Sequence, residues 1–210
     1  MKPDVVSFQG VNVKPGSFKF KNIDGSTDNV VNEYDKTIIS HSSPRFFGGI
    51  GNNFKYKGLE LSVFLNGQYG NEVFNESRYR LEGGAPLAYL NLTKDFWENR
   101  WTPENPTNRY GTFSVDTENT TASQVSSYYV EDASFLRLKT VTIGYRFPKK
   151  KLIWGVSDLK IYVTADNLYT WTKYSGFDPE VDSNVFLLQG FDRISYPRSR
   201  SAIAGVNITF

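Results

Sequence analysis

Apolar and polar residues alternate with a period of two along the segments 45–56 and 59–69. In the second segment one parity is apolar, namely Leu59, Leu61, Val63, Leu65 and Tyr69. A period of two is typical of a β-strand that turns one face toward an apolar environment. Only Lys57 and Gly58 separate the two segments, which is the length of a tight hairpin. The pattern therefore predicts two antiparallel strands with a shared apolar face.

The same alternation recurs in the last third of the chain. One parity is apolar in 141–147 and in 159–165, and the end of the chain alternates in the same way, with Ala202, Ala204, Val206, Ile208 and Phe210 on one side. Leu136 and Leu138 have the opposite parity to Val141. This slip predicts a β-bulge between Leu138 and Val141.

The predicted strands are joined by connections of very unequal length. In all, we predict about six strands, near 15–21, 45–56, 59–69, 135–147, 158–172 and 202–210. The connections at 57–58 and after Pro148 are short, whereas 70–134 and 173–200 are long and rich in Gly, Pro and Asn. Short turns on one side and long loops on the other are typical of transmembrane β-barrels. Within the first long connection, Thr93 to Trp101 predicts a short helix with Thr93 as N-cap and Pro103 after its end.

Composition leaves two all-β classes open. Aromatic residues make up 16% of the chain, yet 22% is charged and the mean hydropathy is −0.44. A transmembrane barrel has this mixture, and so does a soluble sandwich that binds carbohydrate. A net charge of +2 without a basic stripe argues against nucleic-acid binding, and zero Cys excludes disulfides and thiolate metal sites. Residues 1–8 lack the apolar core of a secretory signal, so we expect a cytoplasmic protein or a fragment.

Candidate catalytic and metal-binding residues are sparse. Asp178 and Glu180 are a possible carboxylate pair for glycoside hydrolysis, but two acids around a proline more often hold a loop. His41 is the only histidine and has no companion for zinc or triad chemistry. The residues Asn22, Asp24, Gly25 and Asp28 only loosely resemble a calcium loop, and a solvated turn fits them better. We therefore expect no catalytic residue, no cofactor and no metal.

Aromatic residues in the connections and strand ends have two interpretations. They are Trp97, Trp101, Tyr110, Tyr128, Tyr129, Trp171 and Tyr174. Their ring faces would suit the apolar face of a sugar. In a barrel, however, aromatics near strand ends more often lie at the membrane interface. We expect Trp171 and Tyr174 to be interfacial or loop-packing residues, and we expect Trp97 and Trp101 to pack the short helix onto its own loop.

Five phrases, taken in order, resemble one family. They are PRFFGGIGNNFKYKGLELSV (44–63), WTPENP (101–106), YVEDASFLRLKTVTIGYRFP (129–148), DNLYTWTKYSGFDPE (166–180) and YPRSRSAIAGVNITF (196–210). Together they resemble the C-terminal barrel of SusC/RagA-type TonB-linked outer-membrane proteins, the glycan and peptide importers of Bacteroidetes. The resemblance covers about residues 44 to 210. Long phrases in a fixed order are far more specific than a single short motif.

The resemblance implies a fold and a setting. The fold is an antiparallel up-and-down transmembrane β-barrel of 22 strands in the outer membrane of a Gram-negative bacterium, with long extracellular loops that contain a short helix. Residues 1–210 would be the C-terminal part of that barrel, with the plug and the N-terminal strands absent. The function implied is import of an oligosaccharide or peptide, not catalysis, and a fragment of this size would be inactive alone.

The resemblance also implies partners. A SusD-like surface lipoprotein would close over the loops 22–44, 70–134 and 173–200, TonB would act through the missing plug, and outer-membrane lipid would surround the wall. Val206, Ile208 and Phe210 would form the terminal signal that the barrel-assembly machinery reads. The alternative for these three residues is an ordinary edge strand.

A soluble all-β carbohydrate-binding module remains the alternative for the whole chain. A sandwich core explains the alternation equally well. Two features count against it, namely the unequal connections and the strand that ends at Phe210. A glycosidase is a third hypothesis, but it lacks a supported acid pair.

Overall fold

The computed structural model describes residues 7–8, 11–26, 30–83, 90–113, 121–149, 152, 155–181, 189–193 and 195–210. The chain divides into two compact units. The first, called here the loop unit, comprises Met1–Ser40, Phe74–Val130 and Phe191–Ile194. The second, called here the sheet unit, comprises His41–Val73, Glu131–Gly190 and Ser195–Phe210.

Strands dominate the described residues. In chain order they are β1 (Ser7–Phe8), β2 (Val11–Asn12), β3 (Val30–Val31), β4 (Phe46–Tyr56), β5 (Leu59–Tyr69), β6 (Glu72–Asn75), β7 (Val130–Asp132), β8 (Phe135–Arg146), β9 (Asp158–Thr172), β10 (Phe191–Asp192) and β11 (Ser201–Thr209). The α-helices are α1 (Glu76–Leu81) and α2 (Lys94–Asn99), and short 3-10 turns lie at Glu33–Asp35, Thr121–Ser123 and Ser127–Tyr129.

The sheet unit is built on five long strands in the order β11-β9-β8-β5-β4. Every neighbouring pair is antiparallel, and the spatial order follows the chain order. This up-and-down arrangement confirms the predicted all-β antiparallel architecture. Strands β4 and β11 form the two edges, so the sheet is open over the described residues.

The hairpin between β4 and β5 shows why a two-residue connection is enough. Lys57 and Gly58 both have positive φ, at 47° and 91°. Two positive φ values in succession characterise a type I′ turn, whose twist matches that of the flanking strands. A Cβ at position 58 would lie 2.5 Å from the carbonyl oxygen of Arg146. Glycine is therefore required there by both conformation and space.

The predicted strand at 15–21 is wrong. Residues 13–26 contain no strand. Gly16 has a φ of 86° and lies against the indole of Trp101, and the amide of Ser17 donates to the carbonyl of Lys14 to close a turn. Phe18 then packs on Tyr128, with 4.7 Å between ring centroids. Side-chain packing within the loop unit, rather than a β-ladder, determines the path of this segment.

Tyr129 forms the centre of the loop unit. It is fully buried, and its hydroxyl donates to the carbonyl oxygen of Ala122 over 3.1 Å. The rings of Tyr128, Tyr79 and Phe74 surround it at centroid distances of 4.9, 5.1 and 6.1 Å. Burial raises the pKa of the Tyr129 phenol well above its ordinary value. The long connection between β5 and β8 thus contributes to a core of its own.

The predicted short helix is confirmed as α2. Its N-cap is Thr93, whose hydroxyl accepts from the amide of Phe96 over 3.2 Å. Phe96 is buried and packs edge-on against Tyr110. Helix α1 was not predicted, because its six residues, Glu76 to Leu81, have no apolar stripe.

Candidate functional site: the two faces of the sheet

The strand register sorts apolar and polar side chains onto opposite faces of the five-stranded sheet. Tyr56, Leu59, Tyr145 and Ile161 are cross-strand neighbours in one row, and Leu61, Ile143, Val163 and Ala204 lie in the row above them. We call this the apolar face. Its members are Phe46, Gly48, Ile50, Asn52, Phe54, Tyr56, Leu59, Leu61, Val63, Leu65, Gly67, Tyr69, Leu136, Leu138, Val141, Ile143, Tyr145, Leu159, Ile161, Val163, Ala165, Tyr169, Trp171, Ala202, Ala204, Val206 and Ile208.

The apolar face is widely exposed. Ile50, Ile143 and Val206 have 68%, 53% and 57% of their surface accessible. Soluble proteins rarely leave contiguous apolar patches of this size uncovered. The face therefore requires an apolar environment outside the described residues.

Aromatic rings lie at both ends of the apolar face. At the end that leads into the long connections, Phe46 stacks on Tyr69 at 5.1 Å, and Tyr169 meets Trp171 edge-on at 4.9 Å. At the end with the hairpin, Tyr145 meets Phe147 edge-on at 5.1 Å, and Tyr56 and Phe210 are exposed. Aliphatic and small residues fill most of the positions between these two rims.

The predicted bulge is present, and it keeps the apolar face continuous. The register shifts between Leu138 and Thr140, so Lys139 is left out of the ladder. Opposite it on β9, Asn167 has a φ of 53°, and its side-chain amide donates to the carbonyl of Ser199 over 3.0 Å. The extra residue restores Leu136 and Leu138 to the same face as Val141 despite their opposite parity.

The opposite face, called here the polar face, contains two ionic clusters. The Glu60 cluster lies near the hairpin end and comprises Lys55, Glu60, Arg146, Asp158 and Lys160. The ammonium of Lys160 lies 2.5 Å from Glu60, and Lys55 and Arg146 each approach the same carboxylate to 3.6 Å. Arg146 also bonds Asp158 at 3.0 Å. The Lys55 and Arg146 side chains are largely or half exposed, so solvent and salt screen this cluster.

The Arg137 cluster lies on the same face, toward the long connections. It comprises Arg137, Thr170, Asp178, Glu180 and Arg198. The guanidinium of Arg137 donates to Asp178 over 2.6 Å and to Glu180 and Thr170 over 2.9 Å each. Only 2% of its side-chain surface is exposed. Arg198 completes the cluster, 3.7 Å from Asp178 and 3.3 Å from Glu180.

Two rings cover glycines on the polar face. Phe64 lies over Gly49, where a Cβ would come within 2.8 Å of its ring, and Tyr162 lies over Gly205 at 2.4 Å. An aromatic ring that lies close to a glycine of the neighbouring strand covers backbone that would otherwise be bare. Each ring thus covers the backbone of the glycine beside it.

The sequence-predicted candidates divide between structural roles. Asp178 and Glu180 hold a loop, because both carboxylates accept hydrogen bonds from Arg137. Their role in the structure is that of ion-pair partners. His41 is exposed. Its backbone amide donates to the carboxylate of Glu72, and its carbonyl accepts from the amide of Glu72. Over the part of the chain that the structure describes, no three His, Cys, Asp or Glu side chains group in a way that fits a metal ion.

The weak calcium-loop resemblance corresponds to a turn. The carboxylate of Asp24 accepts from the amide of Ser26, and Asn22 donates to the carbonyl of Val30. Asp28 lies outside the described residues. Nearby, the amides of Asn32, Ile23 and Asp24 donate to Asp35 and hold the pKa of its carboxyl below the ordinary value.

Most aromatic candidates for sugar stacking are inaccessible or pack elsewhere. Tyr110, Tyr129 and Tyr174 are buried. The Tyr110 hydroxyl donates to Asp95, and burial raises the pKa of this phenol to about 12. Trp101 covers Gly16, and the guanidinium of Arg100 lies over the Trp97 ring. Trp171 lies in the aromatic rim of the apolar face, next to Tyr169.

Sequence reasoning missed both ionic clusters. The sequence did place three charged residues at polar-parity positions of predicted strands, namely Glu60, Lys160 and Arg137. This position was the only sign of the clusters that the sequence offered. The carboxylate partners of Arg137 lie 41 and 43 residues further along the chain. Periodicity identifies the face of such a residue but not its partner.

A sheet with one apolar face, one polar face and aromatic rims has the architecture of an antiparallel β-barrel wall. Within the described residues, no helix is both long and apolar enough to cross a lipid bilayer. No family model matches the sequence. Comparison with individual proteins identifies the family.

The chain is 34% identical to TonB-dependent receptor P26 of Formosa agariphila over 199 residues, which cover 89% of this chain and 19% of the receptor. It is 26% identical to TonB-dependent receptor SusC of Bacteroides thetaiotaomicron, over 90% of this chain and 17% of that protein. The solved structure of the RagAB peptide transporter matches with a TM-score of 0.69 and 30% identity, covering 82% of this chain and 18% of the matched chain.

The chain belongs to the SusC/RagA type of TonB-dependent receptors. It spans about a fifth of the length of the curated relatives it matches. Proteins of this type are outer-membrane β-barrels, and the relatives are named as receptors and transporters rather than enzymes.

Proposed function

We propose that this chain forms part of the wall of an outer-membrane nutrient importer. The apolar face contacts lipid, and the polar face lines the barrel interior. The observation that supports this most strongly is the continuous apolar face with an aromatic rim at each end. In this role the chain performs no covalent chemistry and needs no cofactor.

The distance between the rims fits a membrane. Strand β4 has 11 residues and runs from Phe46 in one rim to Tyr56 in the other. Ten steps of ~3.4 Å give ~34 Å along the strand. With a strand tilt of ~40°, this becomes ~26 Å along the membrane normal, close to the ~25 Å apolar band of outer-membrane barrels.

The remainder of the transporter would come from residues outside this chain, because relatives are about five times longer. We assign the chain to the C-terminal part of the barrel. The plug and the segment that contacts TonB would belong to the N-terminal region of the transporter. The long connections would then face outward, under a SusD-like surface lipoprotein. The substrate class is an oligosaccharide or a peptide, and the matched RagAB structure is that of a peptide transporter.

We further propose that Val206, Ile208 and Phe210 form the signal for the barrel-assembly machinery. Val206 and Ile208 lie on the apolar face of β11, and Phe210 follows the strand with 86% of its surface exposed. Within the described residues, β11 is an edge strand of the sheet. The backbone N–H and C=O groups along such an edge can pair with a folding partner.

A chimera tests the proposal directly. Receptor P26 of Formosa agariphila, with this chain in place of its matched segment, would be expressed in the outer membrane of a Gram-negative host; we call this the P26 chimera. We expect folded material that migrates faster on an SDS gel before boiling than after it. Uptake of the substrate of P26 should persist and should require TonB.

A chimera that is membrane-inserted but transports nothing would contradict the import role of this segment. Recovery of the 210-residue chain alone as a soluble monomer with a cooperative melt would contradict the barrel wall itself. That second result would restore the carbohydrate-binding module as the better interpretation.

A further inference from the structure

Arg137 joins three separate parts of the sheet unit. It originates from β8, it bonds Thr170 on β9, and it bonds Asp178 and Glu180 on the connection that follows β9. The three bonds use three different nitrogens of one planar guanidinium. Such a fork determines the position of its partners, whereas an ammonium acts as a point charge.

Both ends of the connection 173–200 meet at this cluster. Asp178 and Glu180 lie near its start, and Arg198, which pairs with both carboxylates, lies near its end. The amide of Glu180 also donates to Asp178 over 2.9 Å, so the short turn between the two acids is closed on itself. The connection is therefore a loop whose two ends are tied to each other and to the polar face of the sheet.

Other contacts also hold the start of the loop. Tyr174 packs with Val73, Ala133 and Val181 in the apolar core of the sheet unit. Ser175 donates to Glu131 from both its amide and its hydroxyl, over 2.8 Å each. Near the end of the loop, Arg198 pairs with the two carboxylates, and the side-chain amide of Asn167 donates to the carbonyl of Ser199.

A buried arginine is not needed for stability alone. Removing a guanidinium from water is costly, and an apolar group of similar volume often stabilises a protein as well or better. What an apolar group cannot do is fix two carboxylates and a hydroxyl in one geometry. The buried location of Arg137 therefore indicates a positioning role.

We propose that Arg137 is the positioning residue that anchors the two ends of the 173–200 connection, at residues 178–180 and at Arg198, to the polar face of the sheet. The anchor does not depend on transport. Only its location at the pore mouth rests on the proposed function.

The chain has no cysteine, so single spin labels are straightforward to introduce. In a cysteine-free P26 chimera, Tyr196→Cys places a nitroxide two residues before Arg198 at a position that is 92% exposed. We expect Arg137→Met to shorten the rotational correlation time of the label by about threefold or more, as for a released loop. Arg137→Lys should give an intermediate value.

Two further variants separate anchoring from charge balance. Lys160→Met in the Glu60 cluster removes a cation from the same face and should leave the label unchanged. The triple variant Arg137→Met, Asp178→Asn, Glu180→Gln removes the guanidinium charge together with the charges of both carboxylates, so it should recover the stability lost in Arg137→Met while its label stays mobile. An immobile label in membrane-inserted Arg137→Met or in the triple variant would overturn the proposal.

Discussion

The two faces of the five-stranded sheet arise from the same alternation but differ in how they tolerate change. The apolar face consists of aliphatic and aromatic contacts without directional bonds, so one apolar residue can replace another at modest cost. The polar face contains hydrogen-bonded ionic clusters and rings that lie over glycines. Its tolerance varies from place to place and depends on how deeply each charged group is buried.

The largest effect is expected where the polar face is most buried. Arg137→Met leaves Asp178 with a buried negative charge that loses its main partner. Breaking a buried ion pair in this way costs about 3–5 kcal/mol. The unfolding free energy of the P26 chimera, measured with urea in lipid vesicles, should fall by that amount. As a control, Arg146→Met removes a half-exposed guanidinium and should change little. Similar losses for both variants would contradict the distinction.

A charge placed on either face should reveal which face contacts lipid. Val163 and Thr164 are adjacent on β9 and point to opposite faces. Val163→Arg places a cation near the middle of the apolar band and should cost about 2–4 kcal/mol. Thr164→Arg places the cation on the polar face and should cost much less. The same urea titration measures both, and equal costs would be incompatible with a lipid-facing apolar face.

Glycines should also distinguish the faces, with a smaller effect. A Cβ at Gly205 would lie 2.4 Å from the Tyr162 ring, whereas a Cβ at Gly48 would meet nothing within 4 Å. Gly205→Ala should therefore cost about 1 kcal/mol, at the low end for overpacking because the ring can move. Gly48→Ala is the matched control and should be close to neutral. Tyr162→Ser should abolish the penalty of Gly205→Ala, and a penalty that survives this change would exclude the ring as its cause.

The smallest effect is expected in the Glu60 cluster. Lys160→Met removes one of three cations around Glu60, and the remaining two stay within 3.6 Å. Lys160 and Glu60 are only 21% and 18% exposed, but Glu60 keeps two cations on side chains that are exposed or half exposed, so the loss of stability should be small. The loss should shrink further in 1 M salt, which screens these ion pairs. A large and salt-independent loss would show that this cluster resembles the Arg137 cluster.

Much of the sheet followed from the sequence, because a period of two is a local property. Strands β4, β5, β8, β9 and β11 begin and end within one or two residues of the predicted bounds, and the parity slip after Leu138 correctly located the bulge. The strand predicted at 15–21 was wrong although Ser17, Lys19 and Lys21 alternate with Phe18 and Phe20. Among the described residues, no strand pairs with this segment. Phe18 packs into the loop unit instead.

The ionic clusters were harder to foresee. The sequence predicted that Asp178 and Glu180 hold a loop, but not that Arg137 is their partner. Nothing local joins a strand residue to a loop more than 40 residues away, because that pairing depends on where the loop returns to the sheet. The C-terminal assembly signal at Val206, Ile208 and Phe210, and the place of the chain in a larger barrel, remain predictions.

The central claim is that the apolar face contacts lipid and the polar face contacts water. Single nitroxide labels placed in turn at positions 159–166 of β9, in the P26 chimera in lipid vesicles, test it most directly. Collisions with oxygen, which concentrates in lipid, should peak at odd positions such as Ile161 and Val163. Collisions with a water-soluble nickel complex should be higher at even positions such as Tyr162 and Thr164. A profile without a period of two, or one with the opposite phase, would contradict the account.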